Sequence, residues 1–236
     1  MKCAVEKLAV YAAQPALTEN IELNKLLDAL ASEFIALDVS WVKPIQRRRL
    51  SAFAKMILSC AHKVNPDAQP LPIIFSSRHG DLHKTSDLLA QLQAHEPLSP
   101  TQFGLSVHNA VAGLLSILTN NKAPIVALAG GNNSINSALC EAYIQLQDPE
   151  VERVMVIHAD QTLPELYQEF ADEPQVDHCL ALVLSTNSEA INNGAAVRLE
   201  QGDGTTKPTV AAALSLALAL HEQKSIELSG WRLHYD

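Results

Sequence analysis

Residues 98–142 read LSPTQFGLSVHNAVAGLLSILTNNKAPIVALAGGNNSINSALCEA, and this stretch decides the fold. It predicts a loop, an apolar helix, a buried strand at Ile125–Leu128, and a turn of small residues that leads into a second helix. The turn, AGGNNS at 129–134, places the first amides of that second helix beside the end of the strand. An α/β enzyme holds its nucleophile at such a turn, because a helix N-terminus stabilises negative charge.

Strands alternate with helices on both sides of this stretch, which is the pattern of an α/β protein. Outside it, the predicted strands are 7–13, 71–75, 151–159, 179–184, 195–199 and 226–233, and the predicted helices are 20–35, 47–62, 82–92, 163–170 and 208–222. Residues 201–206 read as a linker, and Pro208 stands in the first turn of the last helix. We expect one domain over 1–236, in which 207–236 form a closing helix and strand.

Composition and charge exclude several classes of function. Of the 236 residues, 47% are hydrophobic and 18% are charged, which is enough for a large core and too apolar for disorder. The net charge of −9 argues against nucleic acid as a partner, since that needs a basic surface. Glu6 and Lys7 interrupt the first apolar pattern, and no apolar run is long enough to span a membrane, so we expect a cytoplasmic protein.

The cysteines and glycines carry no recognisable binding motif. Cys3, Cys60, Cys140 and Cys179 have no CxxC or metal-like spacing, which predicts reduced thiols and no metal. Cys140 falls in the apolar pattern of the second helix of 98–142, so we interpret it as a packed small hydrophobe. The glycine-rich phosphate motifs are absent, and no cofactor is expected.

The 98–142 stretch resembles the amino-terminal half of β-ketoacyl synthases, which have the thiolase fold. The features that match are Ser99-Pro100, the Ser106-x-x-Asn109-x-x-x-Gly113 run, Pro124 before the strand, and the small-residue turn. Segments 47–51, 75–80, 154–157 and 179–184 also match, so the resemblance covers roughly residues 40–200. It implies a mixed five-stranded sheet with helices on both faces.

One residue departs from this family at the position that matters for its chemistry. The nucleophilic cysteine of a ketosynthase lies eight residues after the position of Pro124, and here that position holds Asn132. An amide cannot form a thioester, so the resemblance implies a scaffold without condensing chemistry. The family's two catalytic histidines come from a second half, and neither His221 nor His234 has their glycine-rich context. We therefore expect no enzyme here, and we interpret Asn132 as a turn and cap residue.

With this departure, the chain resembles one subgroup of the family. These are the half-length chain-length-factor-like subunits of aryl-polyene and related type II polyketide or fatty-acid pathways. The resemblance implies a heterodimer with a full-length ketosynthase, which this chain would stabilise and whose acyl pocket it would shape. An acyl carrier protein is a second candidate partner. The basic run at 47–49 could dock that acidic protein, although a solvated helix start is the alternative interpretation.

The resemblance also places the partner contact at 101–118 and on the 125–128 strand, whose counterpart pairs across the dimer axis in the family. An exposed strand edge of this kind promotes aggregation unless it is paired. Thr101, Gln102 and Phe103 would reach the partner's acyl pocket. The candidate interface and pocket residues are Thr101, Gln102, Phe103, Ser106, His108, Asn109, Ile125, Val126, Ala127 and Leu128. A single half leaves an apolar face, which either the closing segment at 208–233 or another chain must cover.

Two other classes of function stay open at this stage. One is an independent acyl-processing enzyme, a hydrolase or decarboxylase that uses Asn132 or Cys140, and the other is a homodimeric acyl-binding protein. Ser106 and His108 do not favour a hydrolase, because residues two apart on a helix do not face each other and GxSxG is absent. The polar run RHGDLH at 78–83 is interpreted as a structured turn, with Asp81 near a helix start.

Overall fold

Eight strands form one mixed sheet in the computed structural model, which describes residues 2–13, 20–186, 196–201, 211–228 and 231–235, together with 189 and 191. The strands are β1 Lys2–Ala12, β2 Ile73–Ser76, β3 Ile125–Leu128, β4 Arg153–Asp160, β5 His178–Ser185, β6 Ala196–Gln201, β7 Ile226–Leu228 and β8 Trp231–Tyr235. The α-helices are α1 Ile21–Ala29, α2 Pro44–Arg47, α3 Ala52–Val64, α4 Leu82–Gln93, α5 Pro100–Gly104, α6 Ala110–Thr119, α7 Ser134–Gln145 and α8 Ala212–His221. Two 3-10 helices lie at Gly131–Asn133 and Glu165–Phe170.

The order across the sheet is β3-β2-β4-β5-β1-β6-β8-β7. β2 runs parallel to β3 and β4, and all other neighbours are antiparallel. The predicted mixed α/β sheet is confirmed, but the predicted number of five strands was wrong. The strands from β3 to β1 make up five, and the C-terminal part of the chain adds β6, β8 and β7. The predicted single strand at 226–233 is in fact two strands, because β7 pairs back on β8.

Both faces of the sheet are covered by helices, as predicted. Side chains alternate along a strand, so a strand buried on both faces is apolar throughout. In β2, Ile74 packs on α7 and belongs to the buried cluster on one face, to which α1 and α8 also contribute. Ile73 and Phe75 pack with α3 and α6 on the other face. The continuous apolar runs of β2, β4 and β5 follow from this arrangement.

The chain covers part of its own apolar face with α8. This helix is apolar on every side and packs on β5, β1 and β7 as well as on α1. Leu214 and Leu216 are completely buried, as expected of a helix that is hydrophobic all round. Of the two alternatives, the closing segment is therefore the one that lies over this region. Residues 202–210, which include Pro208 and most of the predicted linker, lie outside the described residues.

Several predicted boundaries were wrong, because capping and strand pairing decide where helices and strands begin. The 47–62 helix starts at Ala52, since Ser51 Oγ accepts a hydrogen bond from Ala54 N at 3.1 Å. The 20–35 helix ends at Ala29, and Phe34 already bridges to Val10. β1 starts at Lys2 rather than residue 7, because its first residues pair with β6. The predicted 163–170 helix is the 3-10 helix from Glu165.

Candidate functional site

The turn that carries Asn132 lies between the end of β3 and the start of α7. Gly131 has φ of +57°, which a glycine adopts without strain. Ser134 Oγ accepts a hydrogen bond from Gly130 N at 3.1 Å and donates one to the Gly131 carbonyl at 2.7 Å. Asn132 is exposed, and Asn133 makes no capping bond with its side chain. The side chain that ties this turn is thus Ser134, and not Asn132 as predicted.

A small polar cavity lies beside Asn132. Its volume is about 30 Å³, which is the space of one water molecule in the liquid. Residues that line the cavity include Arg78, Asn132, Ser134, His158, Asp160 and His178.

His158 is buried at this cavity between a serine and an aspartate. Its Nδ1 lies 2.9 Å from Ser76 Oγ, and its Nε2 lies 3.3 Å from Asp160 Oδ2. Burial lowers the pKa of His158 to about 4, against the opposing effect of Asp160, so the imidazole is neutral at pH 7. Serine, histidine and aspartate compose a hydrolase triad, but Ser76 is fully buried and is not among the residues that line the cavity. A serine without access cannot act as a nucleophile.

Asp160 organises the turn that connects β2 to α4. Its Oδ1 accepts hydrogen bonds from Ser77 Oγ at 2.8 Å, Arg78 N at 2.8 Å and His79 N at 3.3 Å. Ser77 Oγ in turn accepts from Gly80 N at 2.8 Å. At the end of the turn, Asp81 Oδ1 caps α4 by accepting from Lys84 N at 3.2 Å. The prediction of a structured turn with Asp81 at a helix start is confirmed.

Arg78 extends from this turn to the long connection between β4 and β5. Its guanidinium donates to both carboxylate oxygens of Asp172, at 2.8 and 2.9 Å, and to Glu173 at 3.1 Å. The hydrogen bond with Arg78 lowers the pKa of Asp172, and the same bond raises the pKa of Arg78. This fork-like pair fixes the connection over the end of β4. Within the described residues, no group of three or more His, Cys, Asp or Glu side chains could hold a metal ion.

The ten predicted interface residues fall in two places at one edge of the sheet. Thr101, Gln102 and Phe103 lie on α5, and Ser106, His108 and Asn109 lie in the turn between α5 and α6. Residues 125–128 form β3, which is the first strand in the sheet order. α6 packs on β3, so the two places are neighbours. Side chains that are exposed there include Thr101, Gln102, Phe103, Asn109 and Ala127.

Two details of this region differ from prediction. β3 is not a buried strand: it is a half-buried edge strand, whose one partner among the described residues is β2. Ser106 and His108 lie in a turn and not on a helix. Ser106 Oγ donates to the Phe103 carbonyl at 2.9 Å, and His108 Nε2 donates to the Ser77 carbonyl at 2.9 Å.

Two larger cavities adjoin α5, and nothing in the sequence signalled them. Their volumes are about 590 and 330 Å³, and both are lined by Lys84. Lys84 Nζ donates to Gln102 Oε1 at 3.2 Å, which holds Gln102 to its own chain. Phe103, by contrast, is 60% exposed. The smaller cavity has an apolar wall of Leu50, Ala54, Leu105, Val111 and Leu114.

A comparison of sequence families identifies the fold. The family described as β-ketoacyl synthase, N-terminal domain, matches residues 22–235. The chain belongs to this family. No protein with a curated function matches this ketosynthase-domain chain. Within the described residues, no helix is long and apolar enough to cross a membrane.

Solved structures share the fold over nearly the whole ketosynthase domain. A chain of the ketosynthase ApeO in complex with its chain length factor ApeC, from Xenorhabdus doucetiae, is similar at a TM-score of 0.77 and 20% identity, over 99% of this chain and 98% of that chain. A chain of the ishigamide ketosynthase/chain length factor is similar at a TM-score of 0.60 and 15% identity, over 87% of this chain and 69% of that chain. A chain of AntDE:AntF, a type II polyketide synthase acyl carrier protein in complex with its ketosynthase, is similar at a TM-score of 0.67 and 10% identity. The match covers 98% of this chain and 97% of that chain. The predicted thiolase-like fold is confirmed.

The sequence analysis missed the polar network around Asp160. A signal was present, because Ser76 and Ser77 follow one apolar strand and Asp160 ends another. The carboxyl ends of parallel strands meet at one edge of a sheet, where polar side chains gather. The sequence does not show, however, that β2 and β4 are neighbours in the sheet.

Proposed function

We propose that this chain is a non-catalytic, chain-length-factor-like subunit that pairs with a full-length β-ketoacyl synthase. It stabilises that enzyme and shapes its acyl pocket during chain elongation of the polyketide, aryl-polyene or fatty-acid type. The observation that carries the proposal is Asn132, an amide at the turn where the resembled enzymes hold their nucleophile. Likeness over 98% of a chain from a ketosynthase and chain length factor complex supports it.

The edge formed by α5, α6 and β3 is the proposed contact with the ketosynthase. Large apolar side chains are exposed there, with Phe103 at 60%, Val107 at 46% and Ile117 at 73%. Beside them, β3 is one of the two edge strands of the sheet among the described strands. Exposed apolar residues next to an unpaired strand edge are costly for a chain alone and favourable in a complex.

An acyl carrier protein is the second proposed partner. Arg48 and Arg49 are exposed after the short helix α2, on which Ile45 is 70% exposed. In a chain of net charge −9, such a basic patch around an apolar side chain suits an acidic protein surface. Neutralising both arginines tests this contact by the affinity for the carrier protein.

The independent-enzyme alternative has less support. Cys140 is half-buried, and burial raises its pKa, which disfavours the reactive thiolate. Ser76 is fully buried, so its hydroxyl is not accessible to a substrate. The acyl-binding alternative has one observation in its favour, the 330 Å³ cavity with an apolar wall. Native mass spectrometry of the purified chain would reveal a retained acyl ligand.

The first experiment is co-expression with the ketosynthase encoded beside it, followed by the mass of the purified complex. We expect a one-to-one heterodimer. A stable monomer or homodimer that does not bind the ketosynthase would overturn the proposal. A homodimer with bound acyl groups would favour the acyl-binding alternative.

Phe103→Ala tests whether this chain shapes the partner's acyl pocket. We expect the complex to assemble and the product chain length to change, because a large exposed side chain is removed from the proposed pocket wall. Gln102→Trp should also change the product chain length. Leu166→Ala is the control, since Leu166 is 72% exposed on the 3-10 helix Glu165–Phe170. Identical products from Phe103→Ala and wild type would remove the pocket role.

A further inference from the structure

The β2–α4 turn (residues 77–81) is where three parts of the molecule meet. Through Ser77 it bonds to Asp160 at the end of β4, and through Arg78 it bonds to the β4–β5 connection. Through the carbonyl of Ser77 it also bonds to His108. His108 belongs to the partner-facing segment (residues 100–109), which comprises α5 and the turn after it.

His108 rests closely on this turn. Its Nε2 lies 2.9 Å from the Ser77 carbonyl, and its ring centroid lies 5.4 Å from that of Phe75. Gly80 has φ of +63°, and a Cβ built there would lie 3.4 Å from His108 Cδ2. The imidazole thus lies in contact with the turn, and we expect a rearrangement of the turn to shift His108.

The turn depends on one carboxylate oxygen. Asp160 Oδ1 accepts from the Ser77 hydroxyl and from two backbone amides, and the Asp160 side chain is only 14% exposed. The amides of Arg78 and His79 are partly buried and lose their acceptor when that oxygen is removed, so we expect the turn to rearrange. No other carboxylate among the described residues bonds to these amides.

We propose that Asp160 is the positioning residue of the partner-facing segment. It fixes the β2–α4 turn, the turn seats His108, and His108 holds the segment in which Ser106 bonds back to Phe103. The order of this segment is a property of the chain alone. That the segment meets a ketosynthase rests on the proposed function.

The test compares Asp160→Ala, Asp160→Asn and the matched control Asp177→Ala. Asp177 also accepts three hydrogen bonds, from Thr162 N at 2.8 Å, Thr162 Oγ1 at 2.9 Å and Gln161 Nε2 at 3.1 Å, but it does not bond to the β2–α4 turn. The readouts are amide hydrogen exchange at residues 105–110, the imidazole resonances of His108, and affinity for the ketosynthase.

Asp160→Ala should speed amide exchange at 105–110 about tenfold and weaken the complex about tenfold, because the turn loses three part-buried hydrogen bonds. Asp160→Asn keeps an acceptor oxygen, so it should restore most of the slow exchange at 105–110 and most of the affinity for the ketosynthase. Asp177→Ala should leave the His108 resonances unchanged. If Asp160→Ala does not fold, Ser77→Ala must still speed exchange at 105–110.

Unchanged exchange in Asp160→Ala or Ser77→Ala, or an equal effect of Asp177→Ala, would overturn the proposal. Faster exchange with full affinity for the ketosynthase would overturn the link to partner binding. Absence of any complex with the wild-type chain would instead count against the proposed function, and the exchange pattern would still be readable.

Discussion

Among single residues, Ser134, His158 and Asp160 hold the region around Asn132 together through hydrogen bonds. Asn132 offers an amide where the family has its nucleophile, Cys140 has a raised pKa, and Ser76 is fully buried. His158 shows the same tendency, because burial keeps it neutral. These properties support the non-catalytic role proposed above.

His158 makes stability depend on pH in a defined window. Its folded pKa of about 4 lies below the ordinary value of 6.5, so between these pH values the unfolded chain binds a proton that the folded chain does not. The free energy of unfolding should therefore fall as pH drops from 6.5 to 4, by on the order of 3 kcal/mol. Urea unfolding across pH 4–7 measures it. His158→Gln should flatten this dependence, whereas the exposed His95→Asn should not; equal slopes in wild type and His158→Gln would contradict the argument.

At the scale of elements, one edge of the sheet stands out from the rest. β2, β4 and β5 are buried on both faces, but β3 is half-buried, and Ala127 on it is exposed. A strand of four residues with an open edge and neighbouring exposed apolar side chains has the character of an interface element.

Ala127→Lys tests the role of β3. A lysine there places a charge at the proposed strand-pairing contact without removing a buried group, so the complex with the ketosynthase should weaken at least about tenfold while the free energy of unfolding stays within about 0.5 kcal/mol. Titration calorimetry and urea unfolding provide the two measurements. Ala31→Lys, an exposed alanine just after α1 near β1, is the matched control. Wild-type affinity of Ala127→Lys would exclude the β3 edge from the interface.

At the scale of the whole molecule, the C-terminal part completes the core. α8 lies over β5 and β1, and the β7–β8 hairpin extends the sheet through β6. A sheet face that would otherwise be bare is thereby buried within the same chain, which favours a chain that folds before it meets a partner.

Leu214→Ala measures how much this closing helix contributes. Leu214 is completely buried, so the truncation should lower the free energy of unfolding by about 2–5 kcal/mol. Leu166→Ala, at a site 72% exposed, should change it by less than about 0.5 kcal/mol. Equal stability of the two variants in urea unfolding would show that α8 does not contribute to the core.

The α/β class, the helix–strand–helix of residues 98–142 and the Asn132 turn could be predicted from the sequence, because apolar periodicity and small-residue turns are local properties. The sequence also located Asp81 at a helix start, since capping depends on a few neighbouring residues. The order of the eight strands, the half-buried state of β3 and the bonding of Ser77 to both Asp160 and His108 became known only from the folded structure. Those features join residues far apart in the chain, and strand order depends on how the whole sheet buries its two faces.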